Sequence, residues 1–388
     1  MKGAVLLSGA FRPFFIAMAG YGVIAMGLWI AVLQGAGPGT LPPNVTAWHG
    51  HEMLVGFGFA ALAGFVLTAV AAWTGRPPVS GAPLLGILLA WALGRSGMLF
   101  AGVLGPQWAA VLDSLFPLLL AAALTHEVVA ARNVRNWGVA AVVWWLAAAN
   151  LLYHAGATGL LPLAANAEQA GLLLMLHGLA LLLTLIGGRI VPAFTTNWLR
   201  RRGEVRLPRT SARLDRMTLA VTGFCGLYAS ILPHSSLTGL LALIAAALHT
   251  LRLSGWRGLA VLQEPLLLVL HLGYLWLPCG YLLLAAVAFG WGVAPASAVH
   301  AFAVGAIGLT MLALATRVPL GHSGLPLRAS AATVAAYLLL TVAALLRVTN
   351  AWGPAYYPLL YAAASAWALA LLTYLLVYTP MLLRRNKK

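Results

Sequence analysis

Residues 48–72 read WHGHEMLVGFGFAALAGFVLTAVAA. After Glu52 this stretch holds no charged side chain, and it is long enough to cross a bilayer as a helix, which needs about 20 residues. His49, His51 and Glu52 stand near its beginning. Ionisable side chains are costly inside a membrane and usually have a role there. The stretch therefore predicts a membrane-spanning helix with candidate functional residues at one end.

The composition extends this prediction to the whole chain. Of its 388 residues, 62% are hydrophobic and 8% are charged, whereas soluble domains carry about 25% charged residues. The apolar runs are long and continuous, which is typical of membrane helices rather than of the alternating strands of a barrel. We therefore expect an all-α polytopic membrane protein with one membrane domain, residues 1–388.

Twelve apolar segments are predicted to span the membrane. They are residues 13–34, 48–72, 82–104, 107–130, 137–156, 169–192, 215–233, 236–252, 261–290, 297–318, 329–349 and 356–382. Each approaches or exceeds the length that a spanning helix needs. The eighth is the shortest.

The formal net charge of +16 does not indicate nucleic-acid binding, because most basic residues lie in short loops. The loop at 200–216 alone holds seven arginines. The loops that alternate with the basic ones lack lysine and arginine, and they are residues 35–47, 155–167, 233–236, 291–296 and 350–355. Basic loops remain in the cytoplasm. The pattern predicts a multi-pass protein of the bacterial inner membrane with both termini cytoplasmic.

Six histidines lie within the predicted spans or at their ends. They are His49, His51, His177, His271, His300 and His322. Imidazole is the usual protein ligand of haem iron and copper. His51 and His300 begin their spans at similar depth, whereas His177 and His271 lie about ten residues in, near the midplane. A structural hydrogen bond to a neighbouring helix is the alternative role for these two.

The other candidates are weaker. His49 and His51 point about 200° apart around a regular helix, so they cannot share one metal. The remaining histidines lie at span ends, where imidazole is usually solvated or caps a helix; they are His126, His154, His234 and His249. Cys225 and Cys279 lack metal-type spacing and are expected to be small buried side chains.

The second, sixth and tenth spans share a pattern. Each runs toward the cytoplasm, carries a candidate histidine and has an arginine near its lower end, namely Arg76, Arg189 and Arg317. Gly56 follows His51 by five residues, and Gly305 follows His300 by five, so a helix or a flat macrocycle could approach the backbone there.

A ligand on every fourth helix is also the arrangement of haem–copper oxidases, whose twelve helices form three arcs of four. This is an analogy of fold only, and His271 on the ninth span does not follow it.

Several short motifs occur in an order that resembles the NnrS family over nearly the whole chain. They are Phe11-Arg12-Pro13-Phe14-Phe15, Trp48-His49-Gly50-His51-Glu52-Met53, Leu93-Gly94-Arg95, His177-Gly178, Gly188-Arg189-Ile190-Val191-Pro192, His271-Leu272-Gly273-Tyr274, His300-Ala301-Phe302, Arg317-Val318 and Gly321-His322-Ser323-Gly324. The chain departs from the family pattern at Ser323, where threonine is common, and at Leu325, where an arginine is expected and Arg328 is the nearest substitute. The resemblance implies a membrane protein that contains haem and copper and is linked to nitric oxide metabolism.

Given this resemblance, we expect His51 and His300 to bind haem b, with His49 beside them. His177 and His271 are the candidates for a second metal, either copper or another haem. His322 is a further candidate metal ligand.

Charged residues are assigned to the same sites. Glu52 is a candidate metal-site residue that would hold the second ring nitrogen of a histidine ligand. Arg95 inside the third span requires an anion, for which Asp113 and a haem propionate are the two candidates. Arg189 and Arg317 are further candidate cofactor-binding residues.

The function that the resemblance implies is to bind nitric oxide at a buried histidine-ligated metal, and nitric oxide reductase-like turnover stays open. Turnover would require a quinol or a separate redox protein as electron donor, and protons for which Glu127, Glu264 and Asp113 are candidates. A haem protein that serves structure or metal traffic is one alternative. A twelve-span secondary transporter that uses intramembrane histidines and carboxylates is another.

Overall fold

The computed structural model describes residues 5–160, 166–352 and 356–384 of the chain. Every regular element in these ranges is a helix, and no strand occurs among the described residues. The prediction of an all-α fold is therefore confirmed. The basic residues 385–388 and parts of the predicted loops 155–167 and 350–355 lie outside the described ranges.

Twelve long helices correspond to the twelve predicted spans. They are α1 Phe11–Leu33, α2 Val45–Thr74, α3 Gly81–Leu99, α4 Pro106–Ala130, α5 Val134–Ala157, α6 Ala167–Arg201, α7 Ala212–Ile231, α8 Ser236–Ser254, α9 Pro265–Ala288, α10 Pro295–His322, α11 Ala331–Thr349 and α12 Tyr357–Leu382. All but α7 are long and apolar enough to cross a bilayer within the described part of the chain. The difference arises in the first turns of α7, which hold Arg213, Asp215 and Arg216. The multi-pass character of the protein rests on the other eleven, while its orientation stays a prediction.

The helices belong to two compact units. The first comprises Met1–Met175, Leu314–Pro326 and Leu371–Lys388, and the second comprises Leu176–Ala313 and Leu327–Ala370. In the first unit α1 packs on α2, and α4 packs on α3 and α5. In the second unit α9 packs on α8 and on α10, which also contacts α11. This division does not test the prediction of a single membrane domain.

Two π-helical segments interrupt the α-helices that carry His51 and His300. In α2 the segment Glu52–Phe59 follows His51 directly, and in α10 the segment Ala301–Gly308 follows His300 directly. A π-helix is rare, and it is often found at functional sites. The two segments are therefore equivalent features, although no sequence pattern predicted them.

An aromatic ring covers the first of the two glycines in each π segment. A Cβ atom on Gly56 would lie 2.3 Å from the Tyr21 ring, and one on Gly305 would lie 2.3 Å from the Trp276 ring. The glycines that follow each histidine by five residues thus allow a ring from a neighbouring helix to reach the backbone.

Arg12 caps the C-terminal end of α12. Its Nη1 donates to the carbonyl oxygens of Leu382 at 2.6 Å and Arg384 at 2.9 Å. Carbonyl groups at the end of a helix lack partners within the helix, and a cation there also interacts favourably with the helix dipole. Within the N-terminal motif, Arg12 thus has a structural role, which is to cap the end of α12.

Candidate metal centre

Three helices of the first unit bring two histidines and one carboxylate together. His51 lies on α2, Asp113 on α4 and His154 on α5, and all three side chains are buried. Asp113 Oδ2 lies 3.2 Å from His51 Nε2 and 2.8 Å from His154 Nε2. The three potential ligand atoms lie within 4.8 Å of one another. Ligands at about 2.0–2.2 Å from a common ion would be separated by comparable distances.

Residues on one face of α5 contact the potential ligands and hold them in position. Asn150 Oδ1 lies 2.9 Å from His51 Nε2, and Asn150 Nδ2 donates to Asp113 Oδ2 at 2.9 Å. The Tyr153 ring stacks on the imidazole of His51 with centroids 4.5 Å apart. Asn150, Tyr153 and His154 are spaced by three and four residues, so they share a face of the helix. This polar stripe on an apolar helix orients the three potential ligands.

A buried network of charges completes the cluster. Arg95 donates to Glu52 Oε1 with Nη1 and to Asp113 Oδ1 with Nη2. The Tyr21 hydroxyl donates to Glu52 Oε2, and Glu52 Oε1 lies 2.9 Å from His51 Nδ1. Of the two partners considered for Arg95, the structure therefore shows Asp113.

The charges of this network do not cancel. Two buried carboxylates face one guanidinium, which leaves one negative charge if both histidines are neutral. An uncompensated charge in the membrane interior is costly. A bound cation or an additional proton must balance it, and the donor atoms of two imidazoles and a carboxylate suit a divalent first-row metal.

Gly94 allows α3 and α4 to approach at the cluster. A Cβ atom at this position would lie 3.0 Å from both Cα and Oδ1 of Asp113. Arg95 follows Gly94 directly, so the close approach brings its guanidinium to the carboxylates. The Leu93-Gly94-Arg95 motif therefore has a packing role and a charge role together.

The other predicted haem-site residues lie in different surroundings. His49 stacks on the Trp29 ring with centroids 4.3 Å apart. His300 belongs to the second unit, where its Nδ1 lies 2.7 Å from the carbonyl oxygen of Ala296. His51 and His300 belong to different units, so their pairing across one haem stays a prediction.

His177 and His271, the candidates for a second metal, contact different residues, and their pairing stays a prediction. His177 is buried beside α7, where a Cβ atom on Gly226 would lie 2.8 Å from His177 Cβ, and its Nδ1 has no hydrogen-bond partner among the described residues. His271 Nδ1 instead lies 3.0 Å from the carbonyl oxygen of Leu267. His271 is six residues from the beginning of α9, or about 9 Å, so it lies closer to the helix end than the predicted midplane position.

Of the remaining predicted residues, His322 and Arg317 lie near the end of α10, whereas Arg189 lies within α6. His322 stacks on the Phe11 ring with centroids 5.3 Å apart. Arg189 and Arg317 are half-buried on α6 and α10. Their roles toward a cofactor stay predictions.

A comparison with protein-family models identifies the family. The NnrS protein family model matches residues 5–386, which is nearly the whole chain. The chain belongs to the NnrS family. A comparison with curated proteins found no match. Membership in this family, together with the buried histidine and aspartate cluster, indicates a membrane protein associated with a metal or haem and with nitric oxide.

Two histidines of this NnrS family member are more deeply placed than the sequence indicated. His154 was expected to be solvated or to cap a helix, yet it is buried against Asp113. His249 is also buried, with Nδ1 2.9 Å from the Tyr274 hydroxyl and Nε2 3.0 Å from the Thr222 hydroxyl. The one sequence signal for His154 was its spacing from Asn150 on one helix face.

Glu127, one of the candidate proton-transfer residues, forms an ion pair. Its carboxylate lies 2.5 Å from Arg76 Nε. The pair lies at the partly exposed ends of α2 and α4. The ion pair gives Glu127 a structural role, and its candidate role in proton transfer stays a prediction.

Proposed function

We propose that this NnrS family member binds a metal ion, with copper as the first candidate, at His51, Asp113 and His154, binds haem b elsewhere, and captures nitric oxide. The observation that supports the metal site is the buried cluster of two imidazoles and a carboxylate, whose potential ligand atoms lie within 4.8 Å of one another. Divalent copper binds nitrogen and oxygen donors more tightly than the other divalent first-row ions. The cluster supplies such donors in a part of the protein that excludes water.

The residues of the cluster would have distinct tasks. His51, Asp113 and His154 would hold the ion, and Glu52 would hold Nδ1 of His51 so that Nε2 faces the ion. Arg95 would hold Glu52 and Asp113 in position through its two hydrogen bonds. When bound, the metal or haem supplies an open coordination position for a diatomic gas.

His300 is the proposed haem ligand. The contact of its Nδ1 with the carbonyl oxygen of Ala296 sets the tautomer in which Nε2 carries the lone pair for a metal. Both ring nitrogens of His51 are engaged, by Glu52 on one side and by Asn150 and Asp113 on the other. We therefore assign His51 to the ion first and keep it as a haem ligand together with His300 as the competing assignment.

Reduction of nitric oxide would be a further step. Conversion of two nitric oxide molecules to nitrous oxide and water consumes two electrons and two protons. A quinol or a separate redox protein would be the electron donor, because no c-type haem attachment motif occurs in the sequence. Gas consumption by the purified protein with a chemical reductant distinguishes capture from turnover.

Spectra of histidine variants test the proposal. The protein, expressed with ample haem and copper, should show an intense haem band that shifts upon reduction and upon addition of nitric oxide. His300→Ala should lose or reshape this band, whereas His51→Ala should lose copper. His234→Ala is the matched control, since His234 is exposed near a helix end. A colourless, metal-free wild-type protein would refute the proposal.

A secondary transporter is the second candidate function. Buried ionisable side chains on several helices are typical of proton-coupled carriers. Pro117 and Pro278 lie inside α4 and α9 and could mark mobile helix segments. A carrier would purify without haem or copper and would move a solute into proteoliposomes.

A further inference from the structure

Arg347 lies on the inward face of α11. The buried residues of this helix recur every three or four positions, and they include Leu340, Ala343, Ala344 and Val348. Arg347 follows Ala343 by four positions and Ala344 by three, so it continues the same stripe. Its side chain is half-buried, while the opposite stripe of the helix is exposed. The helix therefore presents a cation toward the protein interior.

No carboxylate of the second unit is available to this cation. The chain has seven acidic residues in all, and the second unit contains three of them, Glu204, Asp215 and Glu264. Glu264 lies directly before α9. Asp215 pairs with Arg252 near the end of α8, and Glu204 lines a surface cleft with Leu262 and Gln263. All three therefore lie at the end of the unit where α9 begins.

Arg347 lies at the opposite end of the unit. The 24 residues of α9 lead from Glu264 to Ala288, a rise of about 36 Å. A short connection then leads to the first turn of α10, where the hydroxyl of Ser297 donates to the carbonyl oxygen of Val348 at 3.3 Å. The end of α11 that carries Arg347 is thus in contact with the beginning of α10.

His300 belongs to that first part of α10. It follows Ser297 by three residues, which is close to one helical turn. Its Nδ1 contact with Ala296 presents Nε2 as the metal-binding atom. One end of the second unit therefore combines a proposed haem ligand with an inward-facing guanidinium, and the three carboxylates of this unit lie at its other end.

We infer that Arg347 binds a propionate of the haem held by His300. This inference rests on the haem assignment in the proposed function. Arginine pairs with carboxylates through two parallel N–H···O bonds. The competing source of an anion is the phosphate of a lipid headgroup, which an arginine near a helix end can reach with its long side chain. The position of Arg347 on the buried stripe, rather than on the exposed one, favours the propionate.

Exchange of the haem carboxylates tests the contact directly. Wild-type protein and Arg347→Gln are loaded with natural haem or with its dimethyl ester, which lacks the charged propionates. Haem loss to a scavenging globin is then followed in each of the four samples. We expect Arg347→Gln to lose natural haem roughly tenfold faster than the wild type, as the loss of a hydrogen bond to a charged group predicts. With the dimethyl ester the two proteins should lose haem at equal rates.

Two further variants serve as controls. Arg328→Gln changes an exposed arginine before α11 in the same unit and should not alter haem loss. Arg347→Lys keeps the charge without the paired donors and should fall between the wild type and Arg347→Gln. It also retains a cation on the buried stripe if the glutamine variant fails to fold.

Three results would overturn the inference. Equal rates of natural haem loss in wild type and Arg347→Gln would show that no propionate is bound. The same difference with the dimethyl ester would assign Arg347 a purely structural role. A difference that appears only in vesicles with anionic lipid would assign the anion to a headgroup. If wild-type protein takes up no haem at all, the proposed function itself fails, and the readout separates that case from the others.

Discussion

Both carboxylate oxygens of Asp113 are used by the buried cluster. Oδ1 accepts from Arg95, while Oδ2 faces His51, His154 and Asn150. Asp113 is therefore the residue through which the charged part of the network and the imidazole part are joined. Loss of its charge should affect metal binding more than it affects the metal-free protein.

Replacement of Asp113 by asparagine tests this role. Asp113→Asn places an amide NH₂ opposite either Arg95 or Asn150, both of which donate to Asp113 in the wild type, so the metal-free variant should itself be less stable than the wild type. Its affinity for a divalent metal should fall by at least about tenfold, as for other losses in the coordination shell. Thermal unfolding with and without added copper measures both effects, because a ligand stabilises only a fold that binds it.

Glu127→Gln is the matched control for that substitution. Glu127 pairs with Arg76 at a partly exposed position, where an ion pair contributes about 0–1 kcal/mol. The metal-dependent rise in unfolding temperature should persist in this control and vanish in Asp113→Asn. An equal rise in both variants would speak against Asp113 as a ligand.

At the scale of single residues, the sequence identified candidate functional side chains but did not show which of them are buried. Arg95 and Glu52 could be singled out because charges inside apolar segments are rare. His154 could not, since its burial depends on α4 bringing Asp113 against the end of α5. Tertiary packing of this kind leaves only a faint trace, the spacing of Asn150 and His154.

The two π segments are the features of greatest interest at the scale of elements. Each begins directly after a histidine and contains a glycine covered by an aromatic ring. The wider helix turns the following side chains relative to those before it, and the glycine lets a ring approach the backbone. The sequence supplied the histidine–glycine spacing, but a π-helix and an α-helix share the same apolar pattern.

Gly305→Ala should destabilise the second unit. The added Cβ would lie 2.3 Å from Trp276 Cδ2, so the half-buried indole ring or the backbone of α10 would have to shift. We expect a cost of about 1–3 kcal/mol, as for other overpacked cores, seen as a lower unfolding temperature in detergent. Gly20→Ala on α1 is the control, because no atom outside its own stretch of helix lies within 4 Å of the position that an added Cβ would take, and its stability should be unchanged or slightly raised. Equal stabilities would mean that the ring contact is loose.

At the scale of the whole molecule, the helical membrane architecture could be predicted largely from composition. Long apolar segments and basic loops were sufficient to place twelve helices. A single segment in lipid must make its backbone hydrogen bonds within itself, and only a helix does so. The seventh helix is the exception in hydropathy, owing to the charges in its first turns. The separation into two compact units was not predicted, since it depends on which helices pack together.

Orientation is the prediction that belongs to this scale. The arginines of residues 200–216 and the basic C-terminal residues should lie in the cytoplasm. A reporter that is active only in the cytoplasm should be active when fused after residue 388 and inactive when fused into the loop at 291–296. The reverse pattern would contradict the assigned topology.

The metal content of His154→Ala is the most direct test of the cluster. Purified wild-type protein should contain one divalent metal ion per chain in addition to haem. His154→Ala should lose that ion and keep its haem, because His154 contributes to the cluster with His51 and Asp113 and has no assigned role toward haem. Equal metal content in the wild type and in His154→Ala would contradict the proposed centre.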